Sequence, residues 1–439
     1  MATNEQLDQW DKQHLWHAFT QMQEYEPLVI DSAEGIWLTD IHGKKYLDGV
    51  SSLWCNVHGH RKPELDQAIL EQVQRVSHVT LLGSSNSTTV KLAKKLVDIS
   101  PAGLNHAFFC SDGASAVEAA LKMAFQYWRQ KPNPENRSRF MALEFAYHGD
   151  TIGSVSLGGV EAFHKLFRPL LFDVIRLPSP ASFESSDQTA EAIADRFVQK
   201  IRPVFEQHAS DTAALIVEPL MQGAAGMIAH PPGLLAALRR MCDEFNVLMI
   251  ADEVAVGFGR TGKLFACQHE DVVPDIMCLG KGLTGGYLPL SATLATTEIY
   301  NAFLGQTADM KTLFHGHTFG GNPVAAAVAL ANIELFEATG FFENLAPAIK
   351  RLDENLKSIQ QHAAVKTTRS VGLMAGIELF DDSIASGNQA CFYAREKGVL
   401  LRALSNVIVV MPPLVTPPDS IDFIFEAIRF ALDKVGRTV

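Results

Sequence analysis

Four stretches of this chain place chemically capable side chains directly after apolar runs. Cys110-Ser-Asp-Gly-Ala-Ser-Ala-Val-Glu118 leaves one run and enters a helical pattern at once, with Gly113 at the turn. A helix start offers unpaired N–H groups and a partial positive charge, which together seat a phosphate. The same residues also read as a plain strand–turn–helix joint capped by Ser111 or Asp112. Glu144-Phe-Ala-Tyr-His-Gly-Asp150 sets Tyr147 and His148 behind a second run, as a platform for a flat ring or as core filling. Ile250-Ala-Asp-Glu-Val254 ends a third run in a carboxylate. A buried unpaired charge is expensive, so Asp252 needs a cation, a metal or N–H donors, and a protonated heterocyclic nitrogen fits. Cys278-Leu-Gly-Lys-Gly282 brings Lys281 to the end of a fourth run, with small residues Thr284-Gly-Gly286 following. Lys281 caps a helix, pairs with Asp252, or serves as an amine nucleophile activated by desolvation and neighbouring charge.

These groups can meet only if the runs are strands of one sheet. The pattern predicts strands at 106–110, 139–144, 174–177, 214–218, 247–252, 276–280 and 290–295, with helices at 114–130, 190–208 and 234–245 between most of them. That alternation predicts an α/β fold with a mostly parallel sheet covered on both faces. Strands buried on both faces read as continuous apolar runs, as Val247-Leu-Met-Ile-Ala251 does. Ligands bind such sheets at the carboxyl ends of the strands. All four stretches lie there. Together they supply a phosphate seat, a ring platform, an anion for a ring nitrogen and a reactive lysine, the parts that pyridoxal phosphate requires.

The flanks differ from the centre. Gly35-Ile-Trp-Leu-Thr-Asp-Ile-His-Gly43 and Lys45-Tyr-Leu-Asp48 predict a small β meander. Beyond Pro323 the pattern predicts a long helix, short strands near 368–379 and 407–411, loops at Pro412-Pro413 and Pro417-Pro418, and a last helix ending near Val435. Both ends are expected to form one smaller α+β domain, 1–62 with 324–439, against a large domain of 63–323. A chain of 439 residues accommodates two such units.

Composition excludes several classes. With 47% apolar residues, 20% charged residues and a net charge of −12, the profile is globular and offers no basic surface for nucleic acid or anionic membranes. No cationic segment followed by an apolar one opens the chain, so no signal peptide is expected. The most apolar helical stretch, 324–336, is interrupted by Asn332 and Glu334 and falls short of the roughly 18 residues a membrane span needs. Six cysteines without a CxxC pair are expected as free thiols in a reducing cytoplasm. His58-Gly-His60 and His315-Gly-His317 have no Cys or carboxylate at ligand spacing, so they read as structural or substrate-facing, and no metal is expected.

Asp252-Glu-Val followed about 29 residues later by Lys281 resembles the fold-type I pyridoxal-phosphate enzymes, and Gly257-Phe-Gly-Arg-Thr-Gly262 is similar to their class III aminotransferases. The resemblance runs essentially end to end. Within that class, four stretches resemble the 7,8-diaminopelargonic acid aminotransferases of biotin biosynthesis: Leu15-Trp-His-Ala-Phe-Thr-Gln-Met22, Gly49-Val-Ser-Ser-Leu-Trp-Cys-Asn-Val-His-Gly-His60, Leu121-Lys-Met-Ala-Phe-Gln-Tyr-Trp128 and His315-Gly-His-Thr-Phe-Gly-Gly-Asn322. The resemblance implies a seven-stranded, mostly parallel sheet in the large domain, and a cytoplasmic homodimer with active sites at its interface. It implies transfer of an amino group to 7-keto-8-aminopelargonate, with S-adenosylmethionine or lysine as donor.

By the same resemblance, Lys281 holds the cofactor as a Schiff base and moves the proton, while Asp252 keeps the pyridine nitrogen protonated. Val254 and Tyr147 cover the two ring faces, and Gly113 and Ala114 donate N–H groups to the phosphate. Ser111, Asp112, His148, Glu218 and His317 are implied around the cofactor, with Thr318 reaching the partner subunit's phosphate. Arg402, in Leu400-Leu-Arg-Ala403, receives the keto acid's carboxylate. Phe19, Leu53, Trp54, Tyr147, Asp150, Arg260 and Gly316 are implied along the substrate path. The chain departs from members that use S-adenosylmethionine at Phe19, where tyrosine is common, and at Leu53, where a second tryptophan is common. Both features resemble relatives that use lysine, so the donor stays open. Asp112 stands where serine is frequent, and Val256 where threonine is frequent. Two rivals share the cofactor: a broad-range ω-amino acid:pyruvate aminotransferase of the same class, and a non-catalytic regulator. The regulator would need a basic DNA-binding segment that this chain does not have to spare.

Overall fold

A computed structural model of the chain describes residues 2–183 and 189–435. Seven strands form one sheet in the order Leu104–Cys110, Ser291–Thr296, Ile276–Leu279, Leu248–Asp252, Thr212–Val217, Arg139–Leu143, Ile175–Leu177. All run in the same direction except Ser291–Thr296, which is antiparallel to both of its neighbours. Each strand lies within two residues of its expected bounds. The central strands are buried along their whole length, and alternate residues go to opposite faces. Leu215, Val217, Met249, Ala251, Met277 and Leu279 join one core cluster, and Ala214, Ile216, Leu248, Ile250, Ile276 and Cys278 join the other. This period of two, with both faces apolar, is why the runs read as continuous.

The Gly113–Gln130 helix closes one face through Ala116, Ala120, Met123 and Tyr127. The helices Ser87–Ile99, Ala190–His208, Leu234–Glu244 and Pro323–Glu337 supply Leu92, Leu96, Phe197, Ile201, Leu238 and Ile333 to the other. Among the described residues no single helix is long and apolar enough to cross a membrane.

At the N-terminus, Ile30–Glu34, Trp37–Asp40 and Lys45–Asp48 form the expected antiparallel meander. Its last strand pairs in parallel with Val399–Leu400, so the two ends of the chain share a sheet. A second four-stranded antiparallel sheet holds Val365–Val371, Met374–Leu379, Val407–Val410 and Arg402–Leu404. Two expectations need correction. The long helix after Pro323 is two helices, Pro323–Glu337 and Phe341–Ile359, separated at Gly340, whose φ of 83° only glycine adopts freely. A further helix, Ile384–Glu396, was not expected because its buried side is Ser386, Gly387, Ala390 and Ala394 rather than large apolar residues.

Candidate active site

The carboxyl ends of five strands converge on a cavity of about 490 Å³. Leu104–Cys110 delivers Ser111, Asp112, Gly113 and Ala114, and Arg139–Leu143 delivers Tyr147, His148 and Asp150. The next three strands deliver Glu218, then Asp252 with Val254, then Lys281, and Trp54 enters from the N-terminal segment. Asp112 caps the helix start: its Oδ1 accepts from Ser115 N at 2.9 Å and its Oδ2 from the Ser115 hydroxyl at 2.9 Å. No acceptor among the described residues takes the N–H groups of Gly113 and Ala114, which is the ordinary state of a first helical turn. A Cβ on Gly113 would stand 2.5 Å from Val254 Cγ1, and one on Gly280 would stand 3.3 Å from the same methyl. Val254 is therefore packed closely against both glycine backbones.

Asp252 ends its strand buried, and His148 Nδ1 lies 2.7 Å from its Oδ2 while Val254 N donates to Oδ1 at 3.1 Å. His148 Nε2 is buried without a hydrogen-bond partner among the described residues. Glu218 is also buried; its Oε1 accepts from Tyr147 N at 3.1 Å and its Oε2 from Gly223 N at 2.9 Å. Burial pushes the Glu218 carboxyl up to about 7, a rise that nearby His148 opposes. Burial pushes the Lys281 amine below the usual lysine range, while Asp252 and Glu218 pull it back. The Tyr147 hydroxyl donates to Asp150 Oδ2 at 2.6 Å, and burial with this bond holds the phenol well above its usual range. Glu118, on the Gly113–Gln130 helix, fixes the chain just beyond by accepting from Thr151 Oγ1 at 2.6 Å and Gly153 N at 2.8 Å.

The rim is aromatic. Phe19 meets Phe163 edge-on at 5.3 Å, and Phe163 meets Tyr147 at 6.2 Å. The Arg402 guanidinium sits 5.5 Å from the Phe19 ring centre. It makes no ion pair among the described residues, and burial holds it below the usual arginine range. The indole of Trp54 is buried, with Lys281 Nζ 5.4 Å from its ring centre, whereas Leu53 is exposed beside it.

Other expected residues fall elsewhere. Arg260 is 1% exposed and donates to the carbonyls of Pro412 at 2.6 Å and Asn56 at 3.0 Å. Its guanidinium braces two backbones, and the expectation of a substrate contact does not match that placement. Gly316, His317 and Thr318 do not line the cavity of their own chain, and Thr318 is exposed. His58 is a core residue, with Nε2 3.3 Å from Asn332 O, and burial holds its imidazole down to about 4. The fold does bring a cysteine to His315 and His317: ligand atoms of Cys110 and both histidines lie within 4.8 Å of one another. Sequence spacing hid this, because Cys110 lies on a distant strand. The trio is nonetheless poorly prepared for a cation. Lys122 Nζ lies 3.2 Å from His315 Nδ1, which leaves the ring proton on Nε2, and burial pushes the Cys110 thiol up to about 12. Thr151, Cys55 and the Leu288-Pro289-Leu290 return also line the cavity. No residue type marked these three in advance.

The family model described as aminotransferase class-III matches residues 19–432. The chain belongs to the class III aminotransferases. An adenosylmethionine-8-amino-7-oxononanoate aminotransferase of Geobacter sulfurreducens is 47% identical, over 98% of each chain. The crystal structure of the enzyme of that name from Methanocaldococcus jannaschii superposes with a TM-score of 0.91 at 42% identity, over 98% of this chain and 99% of that one. An (S)-enantioselective omega-transaminase from Thermomicrobium roseum superposes with a TM-score of 0.94 at 33% identity, over 99% of each chain. The fold is that of the fold-type I transferases, and pyridoxal phosphate is the cofactor of this class III aminotransferase. The cavity suits it: a glycine-lined helix start with free N–H groups, a carboxylate on a buried strand end, and a buried lysine.

Proposed function

We propose that this class III aminotransferase converts 7-keto-8-aminopelargonate to 7,8-diaminopelargonate, the step of biotin biosynthesis for which its full-length relatives are named. The observation that carries the reading is Arg402, a partly buried guanidinium with no carboxylate partner among the described residues, placed at the aromatic mouth. A desolvated cation without an anion is unfavourable in the free chain and is relieved by a ligand carboxylate.

Lys281, Asp252, Val254, Tyr147 and the Ser111–Ala114 turn would hold the cofactor. When bound, pyridoxal phosphate supplies an aldehyde that condenses with amines and a ring that draws electrons from the adjacent carbon. The residues do the rest. Lys281 Nζ, shifted toward its neutral form by burial, takes and returns the proton of the reacting carbon. Asp252, oriented by His148, would hold the ring nitrogen and favour its protonated state. The N–H groups of Gly113 and Ala114 would take the phosphate. Tyr147, tied to Asp150 and Glu218, and Val254 would cover the two faces of the ring.

The working unit is a homodimer. Phe314, Phe319 and Met310 are exposed on the segment that carries Gly316, His317 and Thr318. A second copy would cover these side chains and receive Thr318 at its own phosphate site. Residues 63–323 form the cofactor-holding unit, and 1–62 with 324–439 form the smaller one, since Lys45–Asp48 pairs with Val399–Leu400. Six unpaired cysteines suit a reducing cytoplasm. S-adenosylmethionine is the donor in the relatives' names, while Phe19 and Leu53 suit lysine.

A half-reaction titration tests the reading. Purified enzyme carrying its cofactor is mixed separately with 7,8-diaminopelargonate, S-adenosylmethionine, lysine and β-alanine while the cofactor's visible band is followed. Bleaching is expected with diaminopelargonate and with one of S-adenosylmethionine or lysine, which names the donor. Bleaching by β-alanine with diaminopelargonate inert would replace the reading with the broad-range ω-aminotransferase that the Thermomicrobium roseum likeness favours.

A further inference from the structure

Ser51, Ser52, Leu53 and Trp54 have φ of 51°, 55°, 104° and 68°. Four successive non-glycine residues in the left-handed region crowd each Cβ against the following carbonyl, so this turn does not hold itself. It is held by Asp48, which is 1% exposed. Asp48 Oδ1 accepts from Ser52 N at 2.9 Å, and Oδ2 accepts from Ser52 Oγ at 2.8 Å and faces His60 Nε2 at 3.0 Å. Asn56 Nδ2 lies 3.1 Å from His60 Nδ1. The amide can only donate there, so the ring proton is on Nε2 and points at Asp48. The same turn is tied to the C-terminal strands: Ser51 Oγ donates to Met411 O at 2.6 Å and Gly49 N to Leu400 O at 2.9 Å, two residues before Arg402. Neither Asp48 nor His60 lines the cavity. What they hold does, since the turn carries Trp54, which lines the cavity beside Lys281, with the exposed Leu53 next to it in the chain.

We infer that Asp48 and His60 are positioning residues for substrate: their hydrogen bond locks the left-handed turn that aims Leu53 and Trp54 and keeps it in register with the strand bearing Arg402. The inference rests on the amino-transfer reading of the cavity. It is strained backbone held by surrounding structure at a functional wall.

The test uses the enzyme with its cofactor bound and three variants, His60→Ala, His60→Gln and Ser52→Ala. His60→Ala is expected to raise KM for 7-keto-8-aminopelargonate about tenfold, the loss of one hydrogen bond to a charged group, with kcat and cofactor affinity near wild type. His60→Gln keeps a donor for Asp48 and is expected to recover most of that loss. Ser52→Ala, at an exposed position that does not threaten folding, is expected to raise KM by a smaller factor. KM unchanged in Ser52→Ala and His60→Ala overturns the inference. A fall in cofactor affinity in step with KM also overturns it, because the pair would then support the whole cavity. Should His60→Ala not fold, Ser52→Ala decides by the same readout. Wild-type enzyme that fails the half-reaction with diaminopelargonate refutes the proposed function instead, which keeps the two failures apart.

Discussion

Replacing Gly113 with alanine tests whether the helix start and Val254 are fitted to each other. The added Cβ would stand 2.5 Å from Val254 Cγ1 and 3.1 Å from Cγ2, against roughly 3.5–4.0 Å for an unstrained carbon pair. Backbone strain plays no part, since Gly113 is not among the positive-φ glycines. Val254 has no easy retreat, because Gly280 backs the same methyl at 3.3 Å from its ideal Cβ. Overpacking of this kind costs about 1–3 kcal/mol, and the shift falls on N–H groups that take the phosphate. Losing one charge-assisted bond, about 1.5–3 kcal/mol, weakens cofactor affinity roughly ten- to hundredfold. Absorbance titration of cofactor-free protein measures that affinity directly. Val254→Ala removes both crowding methyls and leaves Val254 Cβ at 3.4 Å, an ordinary contact. The double variant is therefore expected to bind more tightly than Gly113→Ala alone, with a favourable coupling of about 1 kcal/mol or more. Wild-type affinity in Gly113→Ala, or a double variant whose loss is the sum of the two singles, would refute the fitted contact.

Lys281→Ala is expected to abolish steady-state turnover while leaving a folded protein that still takes up cofactor; retained turnover would remove the proton-transfer assignment. Arg402→Ala is expected to raise KM for the keto acid roughly ten- to hundredfold with kcat little changed, and Arg402→Lys to recover part of it; equal KM values would show that the carboxylate binds elsewhere. His230 is buried with neither ring nitrogen hydrogen-bonded among the described residues, and burial holds its imidazole down to about 3. A depressed base contributes stability that is full above its unfolded value of 6.5 and lost as pH falls toward 3. The wild type should lose on the order of 2 kcal/mol more than His230→Leu between pH 6.5 and 5, from about 1.4 kcal/mol per pH unit. Parallel melting curves across that range would contradict it.

The sheet was legible because burial on both faces writes a strand as an unbroken apolar run, and seven such runs with helices between them admit few topologies. The cavity floor was legible for the same reason: Gly113, Asp252 and Lys281 follow those runs at once, and the chain direction does the placing. The rim was less so. Phe19 and Leu53 lie on separate N-terminal segments and Arg402 more than 300 residues further on, and only resemblance joined them before the fold did. Arg260 shows the weakness of that route, since its motif position suggested substrate and its geometry serves two carbonyls. Asp48 was in plain view as an ordinary residue of the meander, and His60 as half of a histidine pair read as structural or substrate-facing. Their pairing depends on a turn of four left-handed residues that no composition or period announces. The Ile384–Glu396 helix was hidden for a different reason, because close packing selects small residues and so erases the apolar stripe.

The ionisable groups of the cavity follow one logic. Burial pushes the Lys281 amine down and the Glu218 carboxyl up, which are opposite directions on the pH scale but both toward the uncharged form. The groups built to face charge are the ones with directed partners: Asp252 held by His148, and the helix start with its free N–H groups. An anionic phosphate and a protonated ring nitrogen complete these two positions, and each relieves a polar group that the fold leaves exposed to the cavity. Burial shifts the Lys281 amine between them toward the form whose lone pair both condensation and proton transfer require. Replacing Asp252 with asparagine keeps the shape and removes the charge. Its effect should therefore fall on the chemistry of the ring rather than on the seat of the phosphate.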